Sequence, residues 1–410
     1  MLKTGIVSLI IRSGSLFSKL LMMLYIAKYL SPEDLGLYGI MLASVTFSRF
    51  VLGFEFYYYV QRELLKNKED KWSSIFRDQI VFYSWVYIII LPFFIIFFLV
   101  GTLAWKYIIW FYVILILEHL TNEIQKLLVV IYRPILANFV SFLNSGLWIY
   151  IYVIVSFFFV EYKHMSYVWL LWTLGDFVAL IVGVYGFWKL NWKQIFVVKI
   201  NKAWIKKGIK VALPFLGIAI SLKIIELSDR FFIQSYLGEA SVGIYFLFQS
   251  IAMLPLTFVE SGAGMILGPK IIAAFQKNNY IQYKYYYRKL ILSTIILSVF
   301  TFGIIYIFIY KILEIINKHY FVNYISVYWI LLAVAAISIV GNLNQLSLYV
   351  RNLDRILLIT ILIAMFFSLF GNFVFISHFG LIGAAITKVF SISILLITRT
   401  IMLNRAARRI

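Results

Sequence analysis

Residues 29–38 read YLSPEDLGLY and residues 236–245 read YLGEASVGIY, and the two stretches register on one another at an offset of 207. Tyr29/Tyr236, Leu30/Leu237, Gly36/Gly243 and Tyr38/Tyr245 are identical, while Leu35/Val242 and Leu37/Ile244 are similar. Each stretch joins two long apolar runs. Ser31-Pro32 reads as a tight turn, and Gly36 as the start of the returning helix. A turn repeated in the same sense in both halves of a membrane chain predicts a parallel duplication about an axis along the membrane normal, an arrangement that transporter folds use.

The surrounding composition agrees. The 410 residues are 63% apolar, 19% aromatic and 13% charged, against about 45–50% apolar and about 25% charged in soluble domains. No globule of this size has interior enough for so much apolar side chain, which excludes an ordinary soluble enzyme. The absence of Cys excludes a disulfide scaffold, and 38 Phe with 29 Tyr exclude a disordered chain. Twelve apolar runs have the length of a helical membrane span: 6–30, 36–59, 79–99, 104–130, 135–159, 166–188, 208–235, 241–265, 290–311, 323–349, 355–377 and 380–403. The expected fold is an all-α polytopic membrane protein. It has about twelve transmembrane helices in two six-helix bundles, residues 1–200 and 201–410, related by a pseudo-two-fold along the membrane normal. The basic stretch 189–207 is the expected hinge, with Ile195, Phe196, Val197, Val198 and Trp204 suited to the headgroup layer. The first span has no small-residue cleavage site and reads as a retained helix.

The formal charge of +20 invites a nucleic-acid partner. Its distribution argues otherwise. Loops on one side carry 24 Lys and Arg, and loops on the other carry only Lys106, Lys163, Lys311 and Lys318. That bias predicts both termini in the cytoplasm and accounts for most of the basic excess as topology and contact with anionic membrane lipids. No nucleic acid is implied.

The turn at 29–38, the basic mid-chain loop and the segment ALPFLGIAISLKIIELSDRFFIQSYLGEASVGIYFLFQSIAMLP at 212–255 together resemble the O-antigen and polysaccharide flippases of the multidrug/oligosaccharidyl-lipid/polysaccharide exporter superfamily. The resemblance implies translocation of an undecaprenyl-diphosphate-linked oligosaccharide from the cytoplasmic to the outer leaflet of the bacterial inner membrane. It also implies alternating access coupled to a proton or sodium ion.

Ionisable groups inside spans cost at least ~2.5–3.5 kcal/mol each, so their positions mark partners or wet cavities. In the first span Ser8, Arg12, Ser15 and Lys19 share one helical face without an acidic neighbour on that helix. With Arg49 of the second span they are candidates for the diphosphate, Arg being suited to bidentate phosphate contact; pairing with an acidic residue on another helix, or snorkelling, is the alternative. In the seventh span Lys223, Glu226, Asp229 and Arg230 form either a self-neutralising cluster or a gating or coupling site. Glu118 and Glu123 of the fourth span are coupling candidates, with His119 beside them. Polar stripes at Asn138/Ser141/Ser145, Ser338/Asn342/Gln345 and Thr387/Lys388/Ser391 suit sugar hydroxyls or helix-to-helix contacts.

No Walker lysine loop is present, and four His without Cys do not suggest a structural zinc. No cofactor, metal site or catalytic residue is expected. A cation-coupled multidrug exporter of the same superfamily is the first alternative, although its cavity should be acidic where Arg12 and Lys19 are basic. A membrane-embedded polysaccharide polymerase or ligase is more distant, because the outer connections are short and poor in acid–base residues.

Overall fold

The computed structural model describes residues 2–188 and 199–407. All regular structure among the described residues is helical. The long helices are α1 (Leu2–Tyr29), α2 (Pro32–Gly53), α3 (Trp72–Ile89, continued after a 41° bend by Leu91–Leu99), α4 (Ile108–Val130), α5 (Pro134–Phe158) and α6 (Met165–Tyr185). Then come α7 (Lys202–Leu237), α8 (Glu239–Gln276), α9 (Tyr280–Ile316), α10 (Ile325–Tyr349) and the helical stretch Asp354–Ala407. That last stretch breaks at Gly380 (φ 59°, ψ −137°), a conformation that glycine adopts at no steric cost, giving α11 (354–379) and α12 (381–407). The bend in α3 falls at Pro92, which has no amide hydrogen to continue the helix.

Eight of these helical stretches are long and apolar enough to span a membrane, and the bent α3 makes nine. The break at Gly380 divides the longest into two. α1 and α4, which carry Arg12, Lys19, Glu118 and Glu123, complete twelve helices at the twelve apolar runs. The chain is a multi-pass membrane protein.

Contacts group the chain into two compact units: Met1–Leu30 with Ile40–Ile220, and Ser31–Gly39 with Ser221–Ile410. The first segment of that second unit, Ser31–Gly39, takes in eight of the ten residues of the repeated turn. Ser31 caps α2: its hydroxyl accepts from the Asp34 amide at 3.0 Å while Asp34 Oδ2 accepts from the Ser31 amide at 3.2 Å, with Pro32 at the first helical position. The helix therefore begins at Pro32, four residues before the glycine expected to start it.

Gly36 has another task. A Cβ there would lie 1.9 Å from the carbonyl oxygen of Glu239, and one on Gly243 would lie 2.2 Å from the carbonyl oxygen of Pro32. Pro32 and Glu239 are separated by the same offset of 207 as Gly36 and Gly243. The crossing of α2 and α8 is thus self-complementary, each glycine resting on the equivalent carbonyl of the other repeat. Small residues permit this backbone approach where lipid supplies no hydrophobic drive. At the turn before α10, burial lowers the Lys318 ammonium below the usual lysine range, while Asp34 and Glu33 act in the opposite sense.

In the first unit α1 packs on α5. Tyr150 donates to the Gly14 carbonyl at 2.8 Å and Ser18 to the Ser145 carbonyl at 3.1 Å. α5 contains a π-bulge at Leu143–Leu147, which re-aims Asn144. The end of the expected hinge is helical and docked: Trp204 packs against Phe56 and Tyr59 with ring centroids 5.7 and 4.9 Å apart. The segment Ile195–Val198 lies outside the described residues.

Candidate functional site

Two polar centres form in otherwise apolar helices, one in each unit. In the first unit the predicted cations have different surroundings. Arg12 is exposed, and its Nε donates to Asn138 Oδ1 of α5 at 3.0 Å. Lys19, two turns further on the same face, is exposed and has no hydrogen bond or ion pair among the described residues. The charged groups acting on it are Glu118 and Arg49. Those two are paired with each other: Arg49 Nη1 donates to Glu118 Oε2 at 2.6 Å, and Trp172 Nε1 of α6 donates to Glu118 Oε1 at 3.2 Å. Arg49 and Glu118 are thus joined directly, and Lys19 of α1 feels the charges of both without a hydrogen bond to either among the described residues.

Glu123 belongs to a separate arrangement. Five residues beyond Glu118 on a helix of 3.6 residues per turn, it points about 140° away. Its carboxylate accepts from Tyr83 at 2.6 Å, from Lys126 at 2.7 Å and from Gln79 at 3.5 Å. His119 Nδ1 meets the Tyr87 hydroxyl at 2.7 Å, while its buried Nε2 has no partner among the described residues. The backbone here is constrained: α2 ends at Gly53, and Phe54 and Glu55 both take left-handed conformations (φ 52° and 51°). Such conformations cost ~1–3 kcal/mol apiece and persist where surroundings dictate them.

One acidic residue of this unit escaped the sequence reading. Asp176 of α6 is fully buried. Asn144, on the π-bulge of α5, donates to its Oδ1, and its Oδ2 has no partner among the described residues. A lone Asp inside the apolar run 166–188 was the available signal.

In the second unit Asp229 is the hub. Lys388 Nζ of α12 pairs with its Oδ2, Tyr245 donates to the same oxygen at 2.9 Å, and the Arg230 amide donates to Oδ1 at 2.9 Å. Lys388 also donates to the Glu226 carbonyl at 2.8 Å. Arg230 does not turn back to Glu226, as its spacing allowed. It donates to Gln249 Oε1 at 3.0 Å and to the Gly39 carbonyl at 3.2 Å, and its guanidinium lies 4.5 Å from the centre of the Phe246 ring. Lys223 and Glu226 form their own pair at 2.6 Å, with the Glu226 side chain 54% exposed. Lys388 had been read only as part of a polar stripe; a lysine in mid-span was itself the signal of a buried acid elsewhere. Arg399 of α12 was also missed: it is buried, and its Nη1 donates to Gln345 at 3.0 Å while Nε and Nη2 have no partner among the described residues.

Of the other stripe residues, Asn342 donates to Glu260 Oε1 at 2.6 Å, whereas Thr387 and Ser391 hydrogen-bond to backbone one turn earlier on their own helix. No group of three or more metal-ligating side chains occurs among the described residues.

Two six-helix halves with charged side chains held inside the spans make an architecture found in membrane transporters. The solved structures agree. The lipid II flippase MurJ in an inward closed conformation superposes with a TM-score of 0.74 at 14% identity, covering 98% of this chain and 88% of that one. A multidrug resistance transporter of the MATE family, outward-facing and assigned to the MOP superfamily, gives 0.65 at 16% identity, covering 98% and 94%. A MATE structure in the bent conformation gives 0.61 at 15% identity, covering 97% and 94%. No curated protein sequence matches the chain. The family model described as polysaccharide biosynthesis protein matches residues 1–271, and the chain belongs to that family.

Proposed function

We propose that the protein is a flippase for undecaprenyl-diphosphate-linked oligosaccharide repeat units and not an enzyme. It carries its substrate from the cytoplasmic to the outer leaflet of the bacterial inner membrane, with both termini in the cytoplasm. The observation that carries the reading is Lys19, an exposed ammonium in a membrane helix without an ion-pair partner among the described residues. An ammonium so placed is costly unless an anion visits it. Arg12 lies on the same face about 10 Å along the helix, and a diphosphate offers the anion that both could hold, with Arg49 available if it releases Glu118. Family membership supports the glycan, and a fold known from inward closed and outward-facing structures supports alternating access. The halves 1–200 and 201–410 are the moving parts of this reading.

Coupling needs a carboxylate that an internal cation does not already occupy. Glu118, Glu123, Glu226 and Asp229 each have an Arg or Lys partner; Asp176 and Glu260 have none among the described residues, and of those two Asp176 is the fully buried one. Asp176 is therefore the coupling group of this proposal, for a proton or a sodium ion, and Glu118 and Glu123 serve to hold Arg49 and Lys126. In cells whose surface glycan depends on this gene, Lys19→Ala and Arg12→Ala should abolish glycan display while the protein still reaches the membrane. Full display by both variants would overturn the reading, and efflux of cationic dyes without glycan loss would favour the exporter.

A further inference from the structure

α8 is interrupted by a π-bulge at Glu260–Gly264, and beside it α8, α9 and α10 line a half-open pocket of about 170 Å³. An apolar cavity of ~150 Å³ holds one benzene ring, so this one has room for a single six-membered ring. Its walls are aliphatic except at three places. Glu260 and Asn342 form a carboxylate–amide pair at 2.6 Å, in which Glu260 Oε1 accepts from Asn342 Nδ2. Among the described residues no hydrogen bond reaches the second carboxylate oxygen or the amide oxygen, and Glu260 is exposed. Thr294 of α9, only 5% exposed, lines the same cavity, and its hydroxyl has no partner among the described residues. Gly264 and Gly268 form an open floor, with no atom within 4 Å of where a Cβ would stand on either.

These features select the occupant. A diphosphate is repelled by Glu260. A hydrocarbon chain leaves the buried Thr294 hydroxyl unmatched, a loss that burial makes expensive, and offers nothing to the exposed Glu260 carboxylate. A pyranose ring fits both demands: its carbon–hydrogen faces lie on the aliphatic walls and the glycine floor, and its hydroxyls donate to Glu260 and Asn342 and exchange with Thr294. We propose that this cavity is a subsite for one sugar ring of the transported glycan, an inference that rests on the flippase reading above. π-bulges recur at functional sites, and this one presents Glu260.

Protein in lipid nanodiscs is titrated with undecaprenyl diphosphate, and in parallel with glucose, rhamnose and N-acetylglucosamine by ligand-observed saturation-transfer NMR. Wild type should give a signal with at least one sugar. Glu260→Gln and Thr294→Val should each weaken that sugar about tenfold, the usual consequence of losing a hydrogen bond of 1.4 kcal/mol, and Gly268→Leu should abolish it by filling the floor. Undecaprenyl diphosphate binding should not change in any variant. If the lipid binds but no sugar signal responds to the variants, the subsite is wrong and the flippase reading stands. Failure of wild type to bind the lipid at all overturns both. Saturation transfer to tetraphenylphosphonium that Glu260→Gln weakens, with no signal from any sugar, would assign the cavity to organic cations and overturn the proposal. Thr294→Val removes no volume and keeps the test valid should Gly268→Leu not fold.

Discussion

Asp176 and Asp229 are both buried in apolar helices, one in each unit, yet their surroundings are opposite. Asp229 receives an ammonium from α12, a phenol hydroxyl and a backbone amide. Asp176 receives the amide of Asn144, and its second oxygen has no partner among the described residues. The same contrast holds for cations. Lys388 is locked between Asp229 and the Glu226 carbonyl, while Lys19 is exposed and unpaired among the described residues. Placing a charge in a span costs ~2.5–3.5 kcal/mol or more. The second unit offsets that cost with its own groups, and the first leaves part of it outstanding. Charges left uncompensated mark where a ligand completes the structure. The second unit has departures too: among the described residues, two nitrogens of Arg399 and the Thr294 hydroxyl have no partner, and Glu260 has no cation.

The largest expected effect follows from removing one side of the satisfied pair. Lys388→Met strands Asp229, and breaking a buried pair in this way costs about 3–5 kcal/mol. Thermal unfolding in detergent should show a marked fall in Tm, and adding Asp229→Asn should restore most of it. Lys19→Met gives the control: it removes an ammonium without stranding a carboxylate, so the Tm should hold or rise while glycan export is lost. Equal Tm losses in the two variants would break the comparison.

A middle-sized effect is expected at the other aspartate. Asp176→Asn should leave stability within about 1 kcal/mol, since no cation is stranded and a neutral amide is easier to bury. Transport should lose its dependence on the ion gradient, measured as glycolipid translocation in proteoliposomes with and without an imposed proton or sodium gradient. A variant that stays gradient-driven assigns coupling elsewhere.

Much of the fold was legible because membrane spans are written in consecutive residues. The apolar run ending at 377 and the one starting at 380 met at Gly380, where the helix breaks. The offset of 207 was visible in four identities, and the crossing of Gly36 and Gly243 gives the glycine identity a physical cause. What the pattern could not show was that Gly36 serves the crossing and not the start of the helix, because the close carbonyl belongs to residue 239. The site followed the same rule. Neighbours one turn apart, such as Lys223 and Glu226, could be paired by spacing alone. Arg49 with Glu118 and Lys388 with Asp229 are joined only by tertiary packing, and Asp176, alone in its apolar run, has no sequence neighbour that would reveal its partner Asn144.

The smallest effect is expected where the distance is shortest to read and the solvent closest. Lys223 and Glu226 meet at 2.6 Å, but the Glu226 side chain is 54% exposed. Exposed pairs contribute about 0–1 kcal/mol, because water competes for both ions and two long side chains must be ordered. Lys388 reaches Glu226 through the backbone carbonyl, so Glu226→Gln leaves that attachment in place. The variant should shift Tm by little, and what it does shift should shrink as salt is raised. A loss as large as that of Lys388→Met would mean that Glu226, Asp229 and Lys388 act as one network, and the satisfied centre of the second unit would then extend to its surface.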